Sequence, residues 1–165
     1  MKIVLRLILL AALAAAGVWL WTVLFPSPEK IIRNRLAQAA SEVSFKSAEN
    51  PLVIAARAER FAGFFSTNVE ININVPELGR HNLAGREEIM QAAAGARAAV
   101  SSLMVEFPDM NITIGPDKLS AVADVSVKVQ AAGEKDVSVQ EIKFTLQKIG
   151  GDWLITRVET VRTLS

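Results

Sequence analysis

The sequence predicts an α+β domain behind an apolar N-terminal segment, with a strongly curved antiparallel sheet packed against helices from the first half of the chain. Three observations carry this. Ser27-Pro28-Glu29 and Asn50-Pro51 are helix starts followed by apolar residues at spacings of three and four. Period-two alternation replaces that spacing at residue 69 and again from residue 103. Turn signals at 115–117, 133–135 and 150–151 cut the second half into four long strands.

Length and composition bound the answer. The 165 residues suit one domain plus an extra segment. There are 18 basic and 17 acidic side chains; with Lys2 and Arg6 ahead of the apolar run set aside, 16 bases face 17 acids. No basic stripe stands out, so nucleic acid is not an expected partner. Cysteine is absent, which excludes disulfides, thiolate nucleophiles and thiolate zinc sites. Tyrosine is absent too, and His81 is the one histidine.

Residues 1–26 read as a transmembrane anchor. After Lys2 and Arg6, residues 7–25 carry no charge, and 19 residues of helix span about 28 Å, close to the ~30 Å hydrocarbon core. Trp19 and Trp21 lie near the far end, at headgroup level, and Pro26 and Pro28 stop the helix. The alternative is a signal peptide cleaved at Ala14-Ala15-Ala16, which would leave Val18-Trp19-Leu20-Trp21 exposed near a new N-terminus. The expected arrangement is a single pass through the cell (inner) membrane by residues 3–25, with residues 27–165 outside the cytoplasm.

In the first helix Ile32, Leu36, Ala39, Ala40 and Val43 form the apolar stripe; in the second, Ile54, Ala58, Phe61 and Phe65 do so, and Ser66-Thr67-Asn68 is the expected end. Val69, Ile71, Ile73 and Val75 then alternate with Glu70, Asn72 and Asn74 as a half-buried strand. Residues 76–79 turn the chain, and His81 to Ala84 return as a short second strand. Gly85 precedes a third helix with stripe Ile89, Ala93, Ala96, Val100 and Leu103, whose alanines and Gly95 suggest close approach to a sheet. Strands follow near 103–114, 119–131, 137–149 and 153–164. In the second of these, Leu119, Ala121, Ala123, Val125, Val127 and Val129 make one face. Strands of about twelve residues are twice the usual length, so the sheet must twist and curve. A phase change near Gln140-Glu141 marks a candidate bulge.

Three short motifs carry a resemblance. Phe65-Ser66-Thr67-Asn68-Val69, Gly85-Arg86-Glu87-Glu88-Ile89 and Gly151-Asp152-Trp153-Leu154-Ile155 resemble three segments of the nuclear transport factor 2-like (cystatin-like cone, SnoaL/ketosteroid isomerase-type) superfamily. These are its aromatic-x-Asp-Asp-Ala start of the first strand, Gly-Arg-Glu-x-Ile start of the third helix and Gly-x-Trp-x-Ile opening of the last strand. The likeness covers residues 28 to 165. It implies that sheet and helices enclose a cone-shaped pocket. Some members, such as ketosteroid isomerases, scytalone dehydratase and polyketide cyclases, are enzymes; others bind ligands or proteins without catalysis, so the site must decide. Anchored cone domains also resemble the inner-membrane scaffold components of type IV secretion and Mce-associated proteins.

The family's catalytic pattern is not matched. Where the isomerase-like base Asp is expected stands Ile73, flanked by Asn72 and Asn74; the substrate-polarising Tyr has no counterpart, and the dehydratase-like histidine pair is reduced to one. One such donor alone is worth on the order of a hundredfold or more in rate. His81 remains the candidate general base, oriented by Glu70 or Glu77, against the plain alternative of a turn histidine. Glu106, Asp124 and Glu141 are carboxylates whose strand phase decides whether they face the pocket. Phe61, Phe65, Ile71, Ile73 and Trp153 are the expected ligand-pocket wall. Asp109-x-Asn111-x-Thr113 lacks the glycine and closing Glu of a calcium loop, and no phosphate loop or serine elbow occurs. No metal or cofactor is expected. The expectation is therefore a non-catalytic domain that binds a small apolar ligand in its cone, or a protein partner or second copy through its sheet. The alternative is an isomerase-, dehydratase- or cyclase-like enzyme using His81.

Overall fold

The computed structural model describes residues 26–46, 49–75, 79–132 and 138–161, together with Ala14 and Gly17. The expected anchor at 3–25 and the turns at 76–78 and 133–135 therefore lie almost wholly outside the described residues. Among the described residues no helix is long and apolar enough to cross a membrane.

Three helices and six strands follow one another as α1 (Pro28–Val43), α2 (Pro51–Ala62), β1 (Phe65–Val75), β2 (Gly79–Ala84), α3 (Arg86–Ala99), β3 (Leu103–Ile114), β4 (Ser120–Ala131), β5 (Ser138–Ile149) and β6 (Asp152–Thr160). The helix starts use the expected chemistry. Ser27 Oγ accepts from the Lys30 N–H at 3.3 Å and Asn50 Oδ1 from the Val53 N–H at 2.9 Å, with Pro at the first helical position in both. The strands form one sheet in the order β2-β1-β6-β5-β4-β3. The meander from β3 to β6 is antiparallel as expected, but β1 lies parallel to β6, so the sheet is mixed. The tight β5–β6 turn has positive φ at both Gly150 (63°) and Gly151 (97°), the two-residue hairpin geometry that glycine reaches without strain.

One face of the sheet is buried under the helices. Ala121, Ala123, Val125 and Val127 of β4, with Ile142, Phe144 and Leu146 of β5, form its centre, and Ile32 and Leu36 of α1 pack into the same core. Leu119 departs from the expected face: it is more than half exposed, just outside β4.

Four further expectations change. Ser66-Thr67-Asn68 does not end α2, because the helix stops at Ala62 and Phe64 already offers its carbonyl to the Ile155 N–H at 3.0 Å, drawing the chain into the sheet. The bulge is not at Gln140-Glu141, where the β4–β5 register runs unbroken. It sits at Phe107-Pro108 in β3, where register shifts by one between Glu106 and Asp109. Proline cannot donate to a ladder, and an edge strand with a bulge is where it is tolerated. Gly95 faces open space, so close approach does not explain it. On α3, Ala96 is exposed and Arg97 is buried in its place, because the inward row runs Ile89, Ala93, Arg97 at spacings of four.

Arg97 is 5% exposed and ties the helix layer together. Its guanidinium donates to the Glu49 carboxylate, to the Glu42 carbonyl and, at 3.4 Å, to the Ser44 carbonyl, and it lies 4.8 Å over the Phe45 ring. Glu49 also meets Arg57 at 3.2 Å, while Glu42 meets Arg60 at 3.3 Å. One buried cation thus joins α3, α2 and the link after α1. That link in turn guards the β3 edge: Phe45 pairs with Leu103, and Ser44 Oγ accepts from the Val105 N–H at 3.0 Å. Arg97→Ala, which takes one of two cationic partners from Glu49 and the donor from two carbonyls, is expected to cost about 3 kcal/mol in chemical denaturation. Glu70→Ala, breaking a half-exposed pair with Arg157 at 2.7 Å, is expected to cost less than about 1 kcal/mol. Equal losses in the two variants would remove Arg97 from its structural role.

The β3–β4 turn is held by Asp117, whose Oδ1 accepts from the Leu119 N–H at 3.0 Å, the Ser120 N–H at 2.9 Å and the Ser120 hydroxyl at 2.8 Å. These bonds, the Leu119 N–H first, hold its pKa below the usual 3.8. A carboxylate with a depressed folded pKa stabilises fully above its unfolded value and loses that contribution as pH falls through the folded one. The stability difference between the protein and its Asp117→Asn variant should therefore be constant at neutral pH and shrink below about pH 4. A difference that stays flat down to pH 2 would remove the charge from the explanation.

Candidate apolar binding site

Between the inner sheet face and the helices lies a cavity of about 250 Å³ whose lining side chains, among the described residues, are all apolar. Leu36, Ala39, Ala40 and Val43 of α1 form one wall, and Ile89, Ala92 and Ala93 of α3 another. The sheet contributes Ile71 and Ile73 of β1, Val127 of β4, and Ile142 and Phe144 of β5. The small alanines on two helices keep this space open, because longer side chains at the same positions would fill it. Phe61 and Phe65 stand edge to face at one side, with ring centroids 5.1 Å apart. The Phe107-Pro108 bulge matters here: it puts two residues of β3 opposite Val127, and Phe107 lines the cavity, its ring 6.0 Å from Phe144.

The residues singled out from sequence fall as follows. Phe61, Phe65, Ile71 and Ile73 line the cavity; Trp153 does not. Trp153 is 2% exposed in the core beside the Gly150–Gly151 turn, paired with Lys148 in register and away from the half of β6 that borders the cavity. Leu83, Val105 and Phe107 are lining residues that the sequence did not single out. The register of β2 and the β3 bulge place them, and neither leaves a pattern in composition.

His81 is exposed on β2 and stands opposite Ile73 in the β1–β2 ladder. Residues paired across a ladder share a face, so His81 lies on the inner face, one step along β2 from Leu83. Glu70 has the opposite parity. It is on the outer face and pairs with Arg157, so it does not orient His81. Glu77 lies outside the described residues. Glu106 is exposed beside Lys128 at 3.1 Å, Glu141 accepts from the Ser126 hydroxyl at 2.6 Å, and Asp124 is exposed. None of these carboxylates lines the cavity. Among the described residues no three His, Asp or Glu gather as metal ligands.

Four positions of the Gly85-Arg86-Glu87-Glu88-Ile89 segment have structural roles, and Glu87 is exposed. Gly85 has φ 85° and donates its N–H to the Val69 carbonyl at 2.8 Å. Arg86 donates twice to the Phe65 carbonyl, Glu88 accepts from the Ala84 N–H at 2.8 Å in the manner of a helix cap, and Ile89 is core.

A second concavity, of about 600 Å³, lies where the ends of β1, β2 and β6 meet β5. Asn72, Asn74, Arg80, Asn82, Lys143 and Glu159 make it polar, and Ile73, Thr160 and Val161 complete it. On the outer face a row of cross-strand partners, Asn111, Asp124, Lys143, Glu159, Asn72 and Asn82, crosses all six strands without an apolar side chain.

This architecture, a curved six-stranded sheet closed by three helices around an apolar hollow, is the nuclear transport factor 2-like, cystatin-like fold. Solved structures bear this out. A nuclear transport factor 2-like protein with a cystatin-like fold from Novosphingobium aromaticivorans superposes with TM-score 0.63 at 16% identity, covering 92% of this chain and 88% of that one. A putative scytalone dehydratase from the same organism gives 0.60 at 14%, covering 82% and 84%. A domain of unknown function with a cystatin-like fold from Nostoc punctiforme gives 0.59 at 19%, covering 86% and 80%. No protein-family model and no curated protein sequence matches the chain. At these identities the likeness fixes the fold and leaves the chemistry to the site.

Proposed function

We propose that the protein is a membrane-anchored, extracytoplasmic, non-catalytic binding domain that holds a small apolar ligand in its cone. The observation that carries this is the lining: every described side chain around the cavity is apolar, and none of these can act as acid, base or nucleophile. The polar row across the outer face supports the cone over the sheet as the working part, because a protein partner or second copy seated there would have to desolvate Asp124, Lys143 and Glu159. The anchor rests on the charge-free run at 7–25 and its flanking lysine and arginine.

Size narrows the ligand. An apolar cavity of ~150 Å³ admits one benzene ring; this one exceeds that by roughly 100 Å³. A ring with a short alkyl chain, or a medium-length acyl chain, fits. Butylbenzene at a hundredfold its Kd should stabilise the chain by about 2.7 kcal/mol, read as a raised unfolding midpoint. Ala93→Leu, which projects into the cavity, should remove most of that gain. A midpoint that does not move, or moves equally in Ala93→Leu, sinks the reading.

His81 keeps a second reading alive, because it shares the inner face with Ile73 and Leu83 and because one structural relative is a putative scytalone dehydratase. An isomerase-, dehydratase- or cyclase-like turnover that survives His81→Ala would end it. For the anchor, a C-terminal reporter active only outside the cytoplasm is the expected result, and activity of a cytoplasm-only reporter would reverse the topology.

A further inference from the structure

We propose that the end of the domain formed by the β3–β4 and β5–β6 turns docks on an anionic lipid surface, with Leu119 and Ile149 set among the headgroups and Lys30, Lys118 and Lys148 against lipid phosphates. This rests on the anchor reading and adds the face that meets the bilayer. The start of α1 lies at that end. Ser44, just past the other end of α1, meets Val105 near the start of β3, whereas Arg33 donates to the Met110 carbonyl at 3.0 Å, so helix and strand run antiparallel. Arg35 lies 3.9 Å from Asp152, the first residue of β6. The Lys148 N–H donates to the Leu119 carbonyl at 2.8 Å, which sets the two turns side by side. The charge-free run ends at Phe25, three residues before Pro28, a reach of at most about 11 Å. An anchor at 3–25 therefore brings this end of the domain to the headgroup layer.

The side chains at this end suit that contact. Leu119 is 56% and Ile149 44% exposed, and Ile31 in the first turn of α1 is exposed as well. Apolar side chains at the tips of tight turns have no core to enter, while the boundary between headgroups and acyl chains accepts them. Residues 27–35, 115–119 and 147–152 hold five bases, Lys30, Arg33, Arg35, Lys118 and Lys148, against three acids, Glu29, Asp117 and Asp152. Two of the acids are already engaged: Asp117 accepts from Leu119 and Ser120 within its own turn, and Asp152 faces Arg35. Lys30, Lys118 and Lys148 are exposed, and among the described residues none of the three joins an ion pair. Lys118 has φ 56°, the left-handed region where glycine or asparagine sits with least strain, so turn geometry does not account for a lysine at the tip. The Asp117 bonds hold that turn in shape before any contact is made. β1 and β6 run parallel away from this end, so the polar concavity at their far ends faces water.

The chain has no cysteine, so a single introduced cysteine takes a label specifically. Leu119→Cys and, from the exposed start of β5 at the opposite end, Val139→Cys are each labelled with nitrobenzoxadiazole in the full chain. Both are reconstituted into vesicles of phosphatidylcholine, with or without phosphatidylglycerol, and lipids spin-labelled near the headgroup serve as quencher. The lipid-quenched fraction at 119 should exceed that at 139 and rise with phosphatidylglycerol. In Lys118→Gln/Lys148→Gln the docked-to-undocked ratio at 119 should fall about thirtyfold, the scale of two lysines at an anionic surface. If 119 is quenched no more than 139, or equally with and without phosphatidylglycerol, the docking face is overturned while the anchor stands. Shielding of 119 from aqueous iodide without lipid quenching would put a protein there instead, and overturns it too. An alkaline carbonate wash reads the anchor separately: a chain that washes off the vesicles removes both readings.

Discussion

The cone stays open because the helices around it are held by something other than the cone. Arg97 is buried against Phe45 and shared among Glu49, Glu42 and Ser44, and this polar cluster fastens α1, α2 and α3 to one another outside the hollow. The apolar hollow of about 250 Å³ leaves part of its lining without packing partners. A helix layer that relied only on apolar contact across that void would relax into it. The charged cluster fastens the helices by contacts outside the hollow, while the alanines of α1 and α3 line it.

Geometry at the sheet edge continues the same arrangement. The Phe107-Pro108 bulge falls on β3, the edge strand that Ser44 and Phe45 cover, and it brings Phe107 onto the cavity wall. A regular ladder there would alternate through residues 107 and 109 alike. With the bulge, both Phe107 and Met110 turn toward the core, which widens the wall on that side. The same segment thus closes an edge against unwanted pairing and shapes the cavity wall.

Much of this was legible in the sequence, and the reasons for the rest are specific. Helix starts at Ser27-Pro28 and Asn50-Pro51 and the alternation of β4 are local signals, and the structure uses each as written. Arg97 broke an otherwise apolar row at spacings of four from Ile89 and Ala93, so its burial could have been suspected; its partners at 42, 44 and 49 could not, because they lie about fifty residues away. The parallel β1–β6 pair leaves no trace in either strand's own pattern. Phe61, Phe65, Ile71 and Ile73 could be placed near the hollow because they share an apolar stripe or strand face, while Trp153 has the same character and lies off the cavity along β6. The separation of His81 from Glu70 follows from strand parity, which required the β1–β2 register to be known.

The β1–β6 pairing has one more consequence, for the order of assembly. It joins Phe65 to Ile155 across most of the domain, and β6 is the only strand linking the β2-β1 hairpin to the β5-β4-β3 meander. Until β6 has been synthesised, the sheet exists as two separate parts, the β2-β1 hairpin and the β5-β4-β3 meander, each with an open edge that β6 later fills. Pairs so distant in sequence form slowly, so the nascent chain passes through a stage in which half-built sheet edges are open to other chains. A stop codon or cleavage before β6 would split the scaffold at its middle rather than trim its end.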